Sequence, residues 1–81
     1  MESVKSYTYK KLINKLLGNI VHFTSECELF PNFDINGKVI SYYINNNELI
    51  LKVKNQNYKI IDIGTNMHKL KFEIIKRGDL H

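Results

Sequence analysis

The sequence predicts a mainly β fold with one N-terminal helix: a small five-stranded antiparallel barrel under a helical lid. Three observations carry that reading. Tyr9, Leu12, Ile13, Leu16 and Leu17 recur at the spacing of one helix face. Gly18 closes that run. From Ile20 onward the apolar residues alternate in short stretches divided by Asn- and Gly-containing turns.

The helix is expected over about 7–17. Ser6 or Thr8 can cap it, since either hydroxyl accepts an orphan backbone N–H of the first turn. Lys10, Lys11, Asn14 and Lys15 fall on its polar side, and Gly18 suits the left-handed position that ends a helix. Ile20-Val-His-Phe-Thr24 opens the first strand, expected over 20–25, because β-branched and aromatic residues dominate it. Residues 25–34 form a connection too long for a tight hairpin. It carries Cys27, the single Pro31, and three apolar residues (Leu29, Phe30 and Phe33) expected to pack back on the core.

Asn36-Gly37 is a turn signal ahead of a second strand over 37–44. Asn45-Asn-Asn47 makes the next turn, since Asn tolerates left-handed backbone. The third strand, 48–54, alternates cleanly, with Leu49, Leu51 and Val53 inward and Lys52 and Lys54 outward. Asn55-Gln-Asn57 turns the chain into a fourth strand over 58–63, and Gly64-Thr-Asn66 turns it into a fifth over 69–76, where Leu70, Phe72 and Ile74 share a face. The tail from Lys76 is polar and expected to fray. Short turns make neighbouring strands antiparallel, and such a set curls into a partly open barrel.

Eighty-one residues, 1–81, make one domain. A chain of this size buries only about 60–65% of its unfolded surface, so self-association would add stability. The net charge of +4 and pI near 9.2 favour anionic partners. Arg77 is the only arginine among twelve basic residues, so attraction through lysine point charges is better supported than a bidentate fork. With Cys27 alone, no internal disulfide forms, and a reducing cytoplasmic setting is expected. No stretch approaches a membrane span, so no membrane partner is expected.

No catalytic constellation stands out. His22 lies in a strand with no acid evident to orient it, and a lone Cys27 is more often a small hydrophobe than a reagent. The histidines and Cys27 lack zinc-site spacing, and Gly64-Thr-Asn lacks the lysine of a phosphate-binding loop. Neither enzyme nor cofactor is expected. Tyr42, Tyr43 and Tyr58, interleaved with Lys38, Lys52, Lys54 and Lys59, suit stacked bases and their phosphates. Tyr is also ordinary in strands, one of the Tyr42–Tyr43 pair should point inward, and edge lysines guard against aggregation. Tyr43, Lys52 and Lys54 are the candidates from this platform, and His68 joins them from the polar turn after Gly64.

Three stretches resemble the Sm-like family of Sm, LSm and Hfq-type RNA-binding proteins, whose barrel is close to the SH3-like one. Leu12-Ile-Asn-Lys-Leu-Leu-Gly-Asn-Ile-Val21 is similar to the family's helix ending in a leucine pair and glycine. Gly37-Lys-Val-Ile-Ser with Asn47-Glu-Leu-Ile-Leu51 resembles the first Sm motif, and Ile61-Asp-Ile-Gly-Thr-Asn-Met67 the second. Two departures stand out: Tyr42-Tyr-Ile-Asn45 occupies the stretch where the family carries an Asp, and Ile63 replaces a basic residue. The resemblance implies RNA or nucleotide binding near Asn47, Gly64, Thr65 and Asn66, and assembly of copies into rings. The competing expectation is a small phage- or mobile-element-encoded protein that inhibits or adapts host machinery. It would act by contact through the helix and the Leu29–Phe33 segment, or by sequestering a signalling nucleotide between subunits.

Overall fold

The computed structural model describes residues 1–26 and 33–78. The fold is mainly β with one short helix. In chain order the elements are β1 (Glu2–Ser3), a 3-10 turn (Val4–Ser6), α1 (Tyr9–Leu16), β2 (Ile20–Thr24), β3 (Asp34–Asn45), β4 (Glu48–Lys54), β5 (Ile60–Gly64) and β6 (Lys71–Lys76). They form one six-stranded antiparallel sheet in the order β1-β6-β2-β3-β4-β5. The sheet is not closed: among the described residues no ladder joins β5 to β6. The sixth strand is the two-residue β1, which adds to the outer edge of β6 through Glu2↔Phe72 and Ser3↔Lys71.

The helix is shorter than its apolar pattern. Thr8 is its N-cap, accepting from the Lys11 amide at 3.3 Å, and Gly18 takes the left-handed backbone at φ +85° just after it. Leu12 and Leu16 are fully buried and Ile13 partly so, but Tyr9 and Leu17 stay exposed, so the packed stripe is narrower than the sequence suggests. Tyr9 instead donates its hydroxyl to the Asn47 carbonyl at 3.1 Å, pinning the start of α1 to the β3–β4 turn.

The core lies between α1 and one face of the sheet. Val21 and Phe23 of β2, Val39 of β3, Leu49, Leu51 and Val53 of β4, Ile63 of β5, and Leu70 and Phe72 beside and within β6 fill it. The inward set read from β4 is therefore correct. Phe33 packs against this cluster, while Leu29 and Phe30 lie outside the described residues.

β3 departs most from expectation. Asn36 and Gly37 do not turn; they pair with His22 and Val21 inside the strand. Gly37 is needed for space rather than for a turn. A Cβ there would lie 2.6 Å from both the Lys54 carbonyl oxygen and Val53 Cγ1, because β3 passes close to the end of β4. A register shift between Val39 and Ser41 then re-aims the strand. Beyond Val39, β3 pairs among the described residues only with β4, and Tyr42 and Tyr43 are both exposed, neither entering the core.

The turns divide between confirmation and correction. Asn46 and Asn47 take φ of 50° and 64°, the left-handed pair of a tight hairpin. Tyr58 sits in the β4–β5 turn at φ 61°, not in a strand, and β5 begins at Ile60. The Asn55 carboxamide oxygen builds that turn, accepting from the amides of Asn57 (2.9 Å) and Lys59 (3.0 Å). The chain end is tied down as far as Gly78, whose amide donates to the Asn19 side chain at 2.8 Å. The same Asn19 donates to the Lys15 carbonyl at 2.7 Å, so it clamps the end of α1 to the C-terminal segment.

Candidate functional site: the outer face of the sheet

Strand alternation divides the sheet into the core face and an outer face that α1 does not cover. Across β3, β4 and β5 the outer residues fall into rows. Tyr43 pairs with Ile50, which in turn pairs with Gly64. Ser41, Lys52 and Asp62 form the next row, and Lys38, Lys54 and Ile60 the one after. Two sequence candidates, Tyr43 and Lys52, are thereby brought together, with Lys54 one row on.

Asp62 organises the first part of this face. Its carboxylate accepts the Tyr43 hydroxyl at 2.7 Å, and Lys52 Nζ lies 3.5 Å away. The same ammonium sits 5.2 Å from the centre of the Tyr43 ring, within cation–π range. The Tyr43 hydrogen bond and, secondarily, the Lys52 charge hold the Asp62 carboxyl below its ordinary range. The hydrogen bond to Asp62 and the nearby carboxylate charges push the Tyr43 phenol up. The result is a locally paired cluster in which the Lys52 charge is half-spent on a carboxylate.

At the other end of β4, Lys54 Nζ stands 5.2 Å over the ring of Tyr58, which is 80% exposed. Lys38 and Lys54 are direct cross-strand partners, and like charges facing each other on one sheet face repel. Among the described residues no salt bridge reaches Lys38, Lys54, Lys76 or Arg77. A depression of about 200 Å³ opens beside Lys38 and Lys54, with Ile20 and Gly37 also in its lining. A second, of about 150 Å³, shares Ile20 and Lys38 with it and runs on to Lys76 and Arg77.

The candidates drawn from the Sm-like resemblance gather at the opposite end of the fold and are held by internal bonds. Thr65 is buried, its hydroxyl and amide both donating to the Leu49 carbonyl at 2.9 and 3.0 Å. The Asn66 amide donates to a Glu48 carboxylate oxygen at 2.9 Å, and that carboxylate lies where a Cβ on Gly64 would fall. Asn47 offers its carbonyl to Tyr9. His68 is exposed and its carbonyl accepts from the Ser25 hydroxyl at 2.7 Å. Glu48 therefore supplies a negative charge beside the turn amides, which disfavours an anion at that spot.

His22 corrects the sequence reading. Its Nε2 lies 2.6 Å from Asp34 Oδ1, so a carboxylate on the adjacent strand does orient the imidazole. Glu73 is its direct partner on the other side, in β6. Cys27 lies outside the described residues. Among the described residues no three His, Cys, Asp or Glu side chains converge on a metal-sized site, and no helix is long and apolar enough to cross a membrane.

The sequence reading missed Asp62, Asp34 and the Lys38–Lys76–Arg77 extension. Period-two alternation carries part of the signal, since it puts Lys38 and Lys54 on one hairpin face. Nothing in local pattern brings Arg77 beside them. No known protein family, curated protein or solved structure matches this chain.

Proposed function

We propose that this protein is a non-enzymatic binding module whose basic outer sheet face takes an anionic ligand, RNA or a nucleotide. One observation carries the reading: two exposed tyrosines on one face, Tyr43 and Tyr58, each hold a lysine ammonium over the ring at 5.2 Å. Aromatic planes beside cations are what base stacking with phosphate contact requires. The Sm-like resemblance agrees with it, and α1 with the five strands β2 to β6 supports a partly open Sm-like curl. Among the described residues the outer edge of β5 is unpaired, and it carries the exposed Ile60, which favours self-association in the cytoplasm.

Fluorescence anisotropy with short labelled RNA, repeated across salt concentrations, tests the reading. Binding should weaken steeply with salt as counterions are released. Lys52→Glu with Lys54→Glu should abolish it, and unchanged affinity would remove the basic face from consideration. Native mass measurement tests assembly: a ring of subunits supports the Sm-like reading and a monomer overturns it.

A second reading, contact with a protein of host machinery, is favoured by the far half of β3. There Ile40, Tyr42 and Ile44 are exposed on a segment whose strand ladder, among the described residues, is with β4 alone. In that case Ile44→Asp would disrupt the partner complex, and added salt would leave it largely intact.

A further inference from the structure

The uncompensated cations are not spread evenly over the outer face. Lys38, Lys54, Lys76 and Arg77 line one track at its far end, away from the Tyr43–Asp62–Lys52 cluster, and Lys71, which also has no carboxylate partner among the described residues, stands apart at the start of β6. We infer that this track, from Tyr58 across Lys54, Lys38 and Ile20 to Lys76 and Arg77, is a groove for an extended single strand of nucleic acid, with Tyr58 as its base-stacking platform. The inference rests on the nucleic-acid reading above and adds to it a place and a ligand class.

The charge pattern is the first support. Lys38 and Lys54 face each other across the β3–β4 ladder, and Ile20 pairs with Lys38 on one side and Lys76 on the other. A continuous row therefore crosses β4, β3, β2 and β6. Among the described residues no carboxylate pairs with any of its cations, whereas Lys15, Lys52 and Lys69 each lie within 4 Å of one. Repulsion between facing lysines is relieved by an anion seated between them.

Shape is the second. The two depressions share Ile20 and Lys38 in their linings, so they adjoin along this row. At about 200 and 150 Å³ each falls short of the roughly 300–1,000 Å³ of sites that enclose a small molecule. Three interstrand steps of about 4.8 Å carry the row over about 14 Å. That span suits successive backbone phosphates better than one nucleotide. Gly78 fixes the far end, since its bond to Asn19 holds the segment that carries Arg77 against the sheet.

Tyr58 is the third. It is a non-glycine residue at φ 61° in a turn rich in Asn, which tolerates that backbone better, and it is 80% exposed. The core gains nothing from it. Its ring lies beside Lys54, which lines the nearer depression, so a base can stack there while the lysine meets the adjoining phosphate.

The test uses a labelled oligouridylate of about ten nucleotides, within the usual site size of such grooves. Lys38→Ala with Lys76→Ala should lower affinity and flatten the salt dependence by about 0.7 per lysine removed in the log–log slope. Tyr58→Asn suits the left-handed turn and so keeps the fold. It should weaken binding about 5- to 150-fold, the loss of one stacked base, with the slope unchanged. Uridine triphosphate should compete far less well than the oligomer. Oligomer binding that survives all three substitutions but is lost with Lys52→Glu would overturn the groove and leave the broader reading standing. Equal competition by the single nucleotide would overturn the extended-strand assignment. Absence of oligomer binding by the unaltered protein would overturn both.

Discussion

Gly37→Ala is a demanding test of how β3 crosses the sheet. Gly37 carries ordinary strand backbone, so a methyl group is opposed by space alone. The added Cβ would meet the Lys54 carbonyl oxygen and Val53 Cγ1 at 2.6 Å each, distances that real Cβ atoms do not adopt. One obstacle is backbone and the other belongs to a fully buried valine, so neither can swing aside. Overpacking of this kind costs about 1–3 kcal/mol. A loss of about 2 kcal/mol in a domain of this size lowers Tm by about 8–16 °C. In urea it should move the midpoint down by roughly 1–2 M without changing the slope. Gly18 supplies the control, because there a Cβ meets nothing within 4 Å but the backbone is left-handed at φ +85°. Gly18→Ala should therefore be destabilising through dihedral strain, and Gly18→Asn should recover much of the loss. At position 37 the order reverses, with Asn worse than Ala because it is larger. A Gly37→Ala protein within about 0.5 kcal/mol of the parent, inside the range of a neutral surface change, would refute the close approach of β3 to β4.

Two further outcomes concern polar contacts. Asn19→Ala removes both the bond to the Lys15 carbonyl and the one from the Gly78 amide at a side chain that is largely buried. A cost of about 1–3 kcal/mol is expected, with faster amide exchange at Gly78 as the diagnostic signal. The Tyr43–Asp62 pair bears on pH. Asp62 has a lowered folded-state pKa, so its contribution is complete above the ordinary carboxylate range and is lost as pH falls through the folded value. Tyr43 has a raised one, so its contribution is complete below the ordinary phenol range and is lost as pH rises through the folded value. In a tyrosinate absorbance titration, Asp62→Asn should bring one late-titrating tyrosine back toward the ordinary value. No change would show that the hydrogen bond is not formed in solution.

Where sequence pattern and structure agree, a single local rule sufficed. Thr8, Gly18, the β4 alternation and the Asn46–Asn47 turn each follow from one residue's own chemistry. The failures have equally specific causes. Asn36-Gly37 carries the signature of a turn, yet the glycine answers to the Lys54 backbone, a neighbour that only the tertiary structure brings near. Tyr58 has the composition of a strand residue, but the Asn55 carboxamide closes a turn around it. Tyr42 and Tyr43 do alternate, opposite core-facing Leu51 and outer Ile50, but beyond Val39 β3 has no second neighbour among the described residues and Tyr42 stays exposed. β1 is two residues long and has no periodicity to read. For the candidate site, the lysines were visible in the chain, whereas which of them a carboxylate neutralises depended on cross-strand register. Lys52 faces Asp62 and Lys54 faces Ile60, a difference of two ladder positions that no local pattern fixes.

The tight Asn46–Asn47 connection also bears on the order of assembly. β3 and β4 zip together across a minimal loop, while β2 reaches β6 only after the whole stretch between Thr24 and Lys71 has been looped out. The logarithmic loop law makes the second closure more costly by roughly 3 kcal/mol of chain entropy. The central hairpin should accordingly be native-like early in the folding reaction, and substitutions along β6 should accelerate unfolding with little effect on the forward rate. Because β1 docks on β6, the N-terminal residues are the last to find their place.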